Sequence, residues 1–148
     1  MTPPPGLILP ELRFDRDGCW FVDGERIEHA RSVQVLTRNL RVLGDGSFVT
    51  SIGREVAPVK VDDVAFFVLD VELDTALHLK LSDEQREVQE APVLSLDPQG
   101  RLYVRVKNGL AWARFARGAQ QRLEPHWVAR DQGIGLVLGG RLVLPSLR

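Results

Sequence analysis

Three basic side chains late in the sequence have the residue types and spacing that could bind an anion. Arg114 and Arg117 are one helical turn apart if this stretch is a helix, and Lys107 lies at its entrance. Planar guanidinium groups suit bidentate contact with phosphate or carboxylate oxygens. These residues are therefore candidate ligand-binding residues, and a solvated helix face without a ligand is the alternative.

Aromatic side chains could add a stacking surface to such a site. Trp20, Tyr103 and Trp112 carry π-faces on which a base could stack. The alternative is that these rings fill the hydrophobic core beneath the basic helix. The sequence alone leaves both readings open.

The residues that usually carry catalysis or bind metals form no recognisable pattern. His29, His78 and His126 lack an i,i+4 pair and a neighbouring cysteine, so surface or capping roles are expected. Cys19 is the only cysteine, and beside Trp20 in a predicted strand it is expected to act as a small hydrophobe.

Three further motifs fail on inspection. Residues 15–18 (D-R-D-G) resemble the start of a calcium loop but lack its third acidic position and its glutamate. Asp62 and Asp63 are adjacent, so on a strand they point to opposite faces and cannot act as a paired acid and base. Residues 133–135 (G-I-G) are an incomplete dinucleotide fingerprint and are expected to form a loop. We therefore expect no enzymatic activity, no metal and no cofactor.

Composition fits a globular protein in a reducing compartment. The chain has 148 residues, of which 44% are hydrophobic, and a formal net charge of −1. This charge gives no reason to expect binding to nucleic acid or to a membrane. No apolar run approaches the roughly 20 residues of a membrane helix, and residues 1–10 read as a flexible leader rather than a secretory signal. A cytoplasmic location is the expectation.

Charge is distributed unevenly along the chain. Residues 62–99 hold two basic and ten acidic side chains, whereas residues 100–148 hold nine basic and two acidic ones. Such a split can mark a binding face. The simpler interpretation, which we favour, is that the acidic middle and the basic end neutralise each other within one fold.

The elements that must position these residues are hairpins and two helices. Residues 12–22 predict a hairpin, and the stripe Ala30, Val33, Leu36 and Leu40 predicts a helix after it. Strands are predicted near residues 40–42, 48–50, 56–61, 64–73, 77–81 and 86–90, with residues 56–61 at a sheet edge because of Pro58.

A similar order returns in the second half. A hairpin over residues 94–104 leads to a helix predicted from an N-cap at Asn108 to Leu123, followed by a terminal hairpin. The two first hairpins align without gaps, Asp15 with Asp97 and Gly18 with Gly100. This order predicts an α+β fold with antiparallel sheets, built from a duplicated unit of β-hairpins plus one helix.

Several stretches together resemble one bacterial family, domain of unknown function 1285. The stretch D-G-C-W-F-V-D-G-E-R-I at residues 17–27 is similar to the family's opening, and the similarity continues at residues 43–49, 61–66 and 68–71. Later, L-A-W-A-R-F-A-R at residues 110–117 resembles a basic helix of the family.

This resemblance implies a duplicated α+β fold whose second half is superficially like a pleckstrin-homology domain. It also implies a ligand site between the halves, with Glu55, Asp63, Arg114, Arg117 and Trp20 as the matching positions. The family has no established activity, and a role in signalling is suggested for it.

Together these observations predict two subdomains, at residues 11–74 and 75–148, with a boundary that could fall anywhere from Asp74 to Glu90. The predicted function is a non-enzymatic binding module for a small anionic or nucleotide-like ligand at the interface of the subdomains. The alternative is a structural domain that binds a protein partner or forms a homodimer without a small-molecule ligand.

Overall fold

The computed structural model describes residues 10–148, which form two compact units, residues 10–65 and 66–148, so most of the predicted leader lies outside the described residues. The predicted boundary lies later, but residues 66–73 pair with strands of the second unit. Within residues 10–65 the elements are β1 (Leu12–Phe14), β2 (Trp20–Val22), β3 (Glu25–Arg26), α1 (Ala30–Arg38), β4 (Arg41–Val42), β5 (Phe48–Ile52) and β6 (Glu55–Val61).

The first unit is one mixed sheet of six strands in the order β3-β2-β1-β6-β5-β4, with the helix against it. Strands β1 and β6 run parallel, and the other neighbours are antiparallel. Alternation along β1 buries Leu12 and Phe14 and leaves Arg13 outside, where it pairs with Asp62 at 2.6 Å. The Thr50 hydroxyl donates to the Leu36 carbonyl at 2.9 Å and so ties α1 to β5.

The prediction that residues 56–61 form an edge strand is wrong, because β6 lies between β1 and β5. Pro58 was expected at a sheet edge because proline has no backbone N–H to donate, and the same property explains why it is tolerated here. Strand β1 pairs only from Val59 onward, so at Pro58 the strand has a neighbour on one side alone. The missing N–H is therefore not needed there.

Within residues 66–148 the second unit contains a seven-stranded sheet in the order β16-β10-β11-β12-β7-β8-β9 and a three-stranded antiparallel sheet, β13-β14-β15. Strand pairs β12–β7 and β10–β16 are parallel, which corrects the prediction of purely antiparallel sheets. The elements are β7 (Phe66–Leu73), β8 (Leu77–Leu81), β9 (Arg86–Gln89), β10 (Leu94–Leu96), β11 (Leu102–Val106), β12 (Ala111–Phe115), α2 (Arg117–Leu123), a 3-10 turn (Glu124–His126), β13 (Trp127–Arg130), β14 (Gly133–Leu138), β15 (Arg141–Val143) and β16 (Ser146–Leu147).

The large sheet curls so that its edge strand β9 reaches β11 through side chains. The Gln89 amide donates to the Arg105 carbonyl at 2.8 Å, and the Glu87 carboxylate accepts from the Lys107 backbone N–H at 3.0 Å. These contacts provide hydrogen-bond partners for backbone groups in β11 and just after it, as buried or half-buried polar groups require.

The helix predicted from Asn108 to Leu123 is wrong over its first half. Residues 111–115 form strand β12, and the helix covers only Arg117–Leu123. The sequence A-W-A-R-F alternates with period two: its first, third and fifth residues are buried and the other two are half-buried. Lys107, Asn108 and Gly109 all have positive φ and make a tight hairpin turn where a helix entrance was expected.

The prediction of a loop at residues 133–135 is wrong. Residues 133–135 lie in strand β14, not in a loop.

The turns at Asp15 and Asp97 share one set of contacts. Each carboxylate accepts hydrogen bonds from the backbone N–H groups two and four residues later, and Gly18 and Gly100 both have φ of 80°. The α+β class is confirmed, whereas the duplication and the pleckstrin-homology likeness stay predictions.

Candidate anion-binding site

Ion pairs join the acidic middle of the sequence to its basic end. Arg101 pairs with Asp97 at 2.6 Å, and Lys107 pairs with Asp83 at 2.5 Å. Arg122 also pairs with an aspartate of the acidic stretch, Asp70. These contacts support the interpretation that the two stretches neutralise each other, and they identify basic residues whose charge is already compensated.

Lys107 is one of these compensated residues. Its ammonium group contacts the carboxylate of Asp83, which is 3% exposed, and lies 4.9 Å from the centroid of the Phe66 ring. The charge of a cation held between a buried carboxylate and an aromatic ring is already compensated within the fold. Lys107 therefore holds the hairpin turn in place, and we leave it out of the site proposed below.

Arg114 and Arg117 do not share a helix face. Arg114 projects from strand β12, with its guanidinium carbon 5.0 Å from the centroid of Phe67. Arg117 is the first residue of α2 and is exposed. The predicted spacing of one helical turn is wrong because the helix begins only after Ala116, where the period-two alternation ends.

The remaining predicted positions lie in the first unit. Trp20 is fully buried, packs at 4.9 Å against Phe14, and its indole N–H donates to Thr37 at 2.9 Å. This environment gives Trp20 a core-packing role. Glu55 is exposed at the start of β6, and Asp63 is half-buried in the bend that follows that strand.

A cluster on the large sheet of the second unit was not predicted as a site. Arg105 and Trp112 are cross-strand partners on β11 and β12, and the Arg105 guanidinium carbon lies 4.2 Å from the centroid of the indole. Arg148 follows β16 and lies 5.1 Å from the same ring and 4.0 Å from Tyr103. Two guanidinium groups thus share one indole ring. We call Arg105, Tyr103, Trp112 and Arg148 the arginine–tryptophan cluster.

No ion pair joins Arg105 or Arg148 to a side-chain carboxylate within the described residues. Arg105 makes one side-chain hydrogen bond, to the Gly109 carbonyl at 3.5 Å, and Arg148 is tied down by its backbone N–H to the Leu96 carbonyl at 2.7 Å. A guanidinium group has five N–H donors, so most of the donors on both groups remain for another partner.

Asp97, an acidic residue beside Tyr103 of the cluster, forms its ion pair with Arg101. It lies 3.5 Å from the Tyr103 hydroxyl. Burial alone would raise the pKa of Asp97, but hydrogen bonds from the Arg101 backbone and side chain outweigh it and lower that pKa below its usual value. The carboxylate is therefore charged at neutral pH, and it pairs with Arg101 rather than with Arg105 or Arg148.

The part of the chain that the structure describes contains neither a cluster of metal-ligating side chains nor a helix that could span a membrane. No group of three or more His, Cys, Asp or Glu side chains is arranged there to hold a metal ion. No helix in residues 10–148 is long and apolar enough to cross a membrane.

Comparison with known proteins identifies the fold. No family model matches the sequence, and no curated protein matches it. A solved structure of a DUF1285 family protein from Silicibacter pomeroyi DSS-3 matches with a TM-score of 0.69 and 25% identity, over 92% of this chain and 79% of that one. The chain has the DUF1285 fold. The resemblance inferred from sequence is thereby confirmed.

A second protein with the DUF1285 fold, from Shewanella baltica OS155, matches with a TM-score of 0.54 over 78% of this chain and 91% of that chain. At 16% identity this likeness shows the fold alone. A shared fold does not by itself imply a function, because function depends on the residues of a particular site.

Proposed function

We propose that this protein is a non-enzymatic binding module for a small anion, held by Arg105 and Arg148 of the arginine–tryptophan cluster. The observation that carries the proposal is that two guanidinium groups contact one indole ring while no carboxylate of the described residues pairs with either. Like charges held close together repel, and an anion between them would relieve that repulsion.

The cluster is preorganised for this role by the sheet. Arg105 is fixed by its cross-strand position opposite Trp112, and its backbone N–H donates to the Val93 carbonyl at 3.0 Å. Tyr103 is 2% exposed, so the ring under Arg148 is itself rigidly packed. Rigid supports reduce the side-chain entropy lost when a ligand binds.

The proposal differs from the sequence prediction in its residues but not in its chemistry. Arginine remains the recognition residue, because its planar fork matches two oxygens of one anion. Arg105 and Arg148 replace Arg114 and Arg117 as the primary contacts. A role in signalling stays a prediction.

Thermal unfolding across a panel of simple phosphates, carboxylates and chloride tests the proposal. An anion at about 100 times its dissociation constant should stabilise the fold by about 2.7 kcal/mol. For a chain of this size that is a shift of at least about 5 °C. The shift should disappear in the Arg105→Ala, Arg148→Ala double variant.

Two matched variants locate the site. Arg130→Ala removes an exposed arginine of the same unit whose side chain donates a hydrogen bond to the neighbouring Ala129 carbonyl at 3.2 Å and is not part of the cluster, so the shift should persist. The Arg114→Ala, Arg117→Ala double variant tests the pair predicted from sequence. If the shift is lost in that double variant and kept in the cluster variant, the site has been assigned to the wrong arginines.

A further inference from the structure

We infer that the anion bound by the arginine–tryptophan cluster is a doubly charged phosphate group, recognised without the organic part of the molecule that carries it. This inference rests on the proposed function and specifies its ligand class. Two features of the cluster lead to it: the number of uncompensated positive charges and the occupation of the aromatic rings.

The first feature is the count of positive charges. Arg105 and Arg148 each keep a full charge, because an arginine side chain does not lose its proton in proteins. Two other cations near the cluster are already compensated, Lys107 by Asp83 and Arg101 by Asp97. A dianion such as a phosphate monoester would match the two charges of Arg105 and Arg148, whereas a monoanion would neutralise only one of them.

The second feature is that the aromatic rings already serve as platforms for cations. The indole of Trp112 contacts both guanidinium groups, and Arg148 lies over the phenol ring of Tyr103 at 4.0 Å. A base stacked on these rings would compete with the guanidinium groups for the ring faces, and displacing a guanidinium group would remove both a cation–π contact and a contact to the anion. The geometry therefore disfavours recognition of a nucleobase.

The test is a titration of the full chain followed by NMR, using the indole N–H signal of Trp112, which is assigned by its absence in Trp112→Phe. At pH 8 methyl phosphate carries two negative charges and dimethyl phosphate carries one, because the second pKa of a phosphate monoester is about 6. We expect methyl phosphate to bind at least about tenfold more tightly, a difference of 1.4 kcal/mol.

Two further probes separate charge from organic structure. Adenosine 5′-monophosphate should bind within about twofold of methyl phosphate, since only the phosphate is read, and adenosine should leave the signal unchanged. Lowering the pH from 8 to 5 should weaken methyl phosphate but not dimethyl phosphate, because the arginines do not titrate in this range.

The results test three claims separately: the preference for a dianion, the absence of contacts to the base, and anion binding itself. Equal binding of methyl and dimethyl phosphate would overturn the dianion inference while leaving anion binding in place. Much tighter binding of the adenosine monophosphate would overturn the claim that the base is ignored. If none of the anions moves the Trp112 signal, the proposed function itself fails.

Discussion

The contact between Lys107 and Asp83 gives the sharpest prediction about stability. The Asp83 side chain is 4% exposed and the Lys107 side chain 22%, and their charged atoms are 2.5 Å apart. Asp83 also accepts from the backbone N–H of Gln85 at 3.1 Å. Lys107→Met keeps an unbranched side chain of similar length and removes the charge, so it leaves a buried carboxylate without its counter-ion.

The expected loss follows from this burial. Removing one partner of a buried ion pair costs about 3–5 kcal/mol, and the partial exposure of Lys107 places this pair at the lower end, about 3 kcal/mol. For a protein of this length that corresponds to a fall in Tm of about 6–12 °C. Adding Asp83→Asn to Lys107→Met should recover much of the loss, because no charge then remains buried.

Urea unfolding of the two single variants and the double variant measures the coupling. Arg122→Ala is the matched control, because its ion pair with Asp70 is exposed on both sides, at 62% and 47%, and should contribute no more than about 1 kcal/mol. A Lys107→Met variant that loses no more stability than Arg122→Ala would refute the prediction that the buried Asp83 carboxylate depends on Lys107 as its counter-ion.

Three other predictions concern local features. Gly135→Ala should destabilise the fold by about 1–3 kcal/mol in urea unfolding, because its Cβ would lie 2.3 Å from the Val143 carbonyl oxygen. Gly118→Ala, which has open space around it in a helix, should instead stabilise the fold by about 0.5–1 kcal/mol, and equal effects of the two variants would contradict this prediction. His29→Asp should stabilise α1 by about 0.5–1 kcal/mol, because His29 is the N-cap of a helix that has no acidic residue in its first turn. Thermal unfolding at pH 7 measures this gain, and an unchanged Tm would argue against the N-cap role of position 29. The pKa of Asp97 in the folded protein is below its usual 3.8, so the stability that the charged carboxylate contributes is complete above pH 3.8 and is lost as pH falls through the folded-state pKa. The free energy of unfolding should therefore fall less steeply below pH 4 in Asp97→Asn than in the wild type, and an unchanged slope would refute the lowered pKa of Asp97.

Local patterns predicted much of the fold. Residues 77–81 alternate apolar and polar side chains and form β8 as predicted, and the stripe in residues 30–40 correctly indicated helix α1. The error at residues 108–116 arose because Trp112, Phe115 and Ala119 also fit a helical spacing. A period of two and a period of 3.6 are hard to distinguish over five residues, and here tertiary pairing with β7 and β11 decides for a strand.

The candidate site was less predictable than the fold. Had residues 111–115 been recognised as a strand, the hairpin with β11 would have placed Arg105 opposite Trp112. Arg148 could not be placed in this way, because it reaches the cluster through the parallel pairing of β16 with β10, which joins residues about 50 positions apart. Long-range pairing of two-residue strands leaves almost no local signal in a sequence.

The most direct test of the account is the affinity for methyl phosphate of the wild type, the Arg105→Ala, Arg148→Ala variant and the Arg130→Ala control, measured by the Trp112 indole signal. The account predicts saturable binding to the wild type and the control and its loss in the cluster variant. Binding that is unchanged in the cluster variant would contradict the central claim that these two arginines form an anion site.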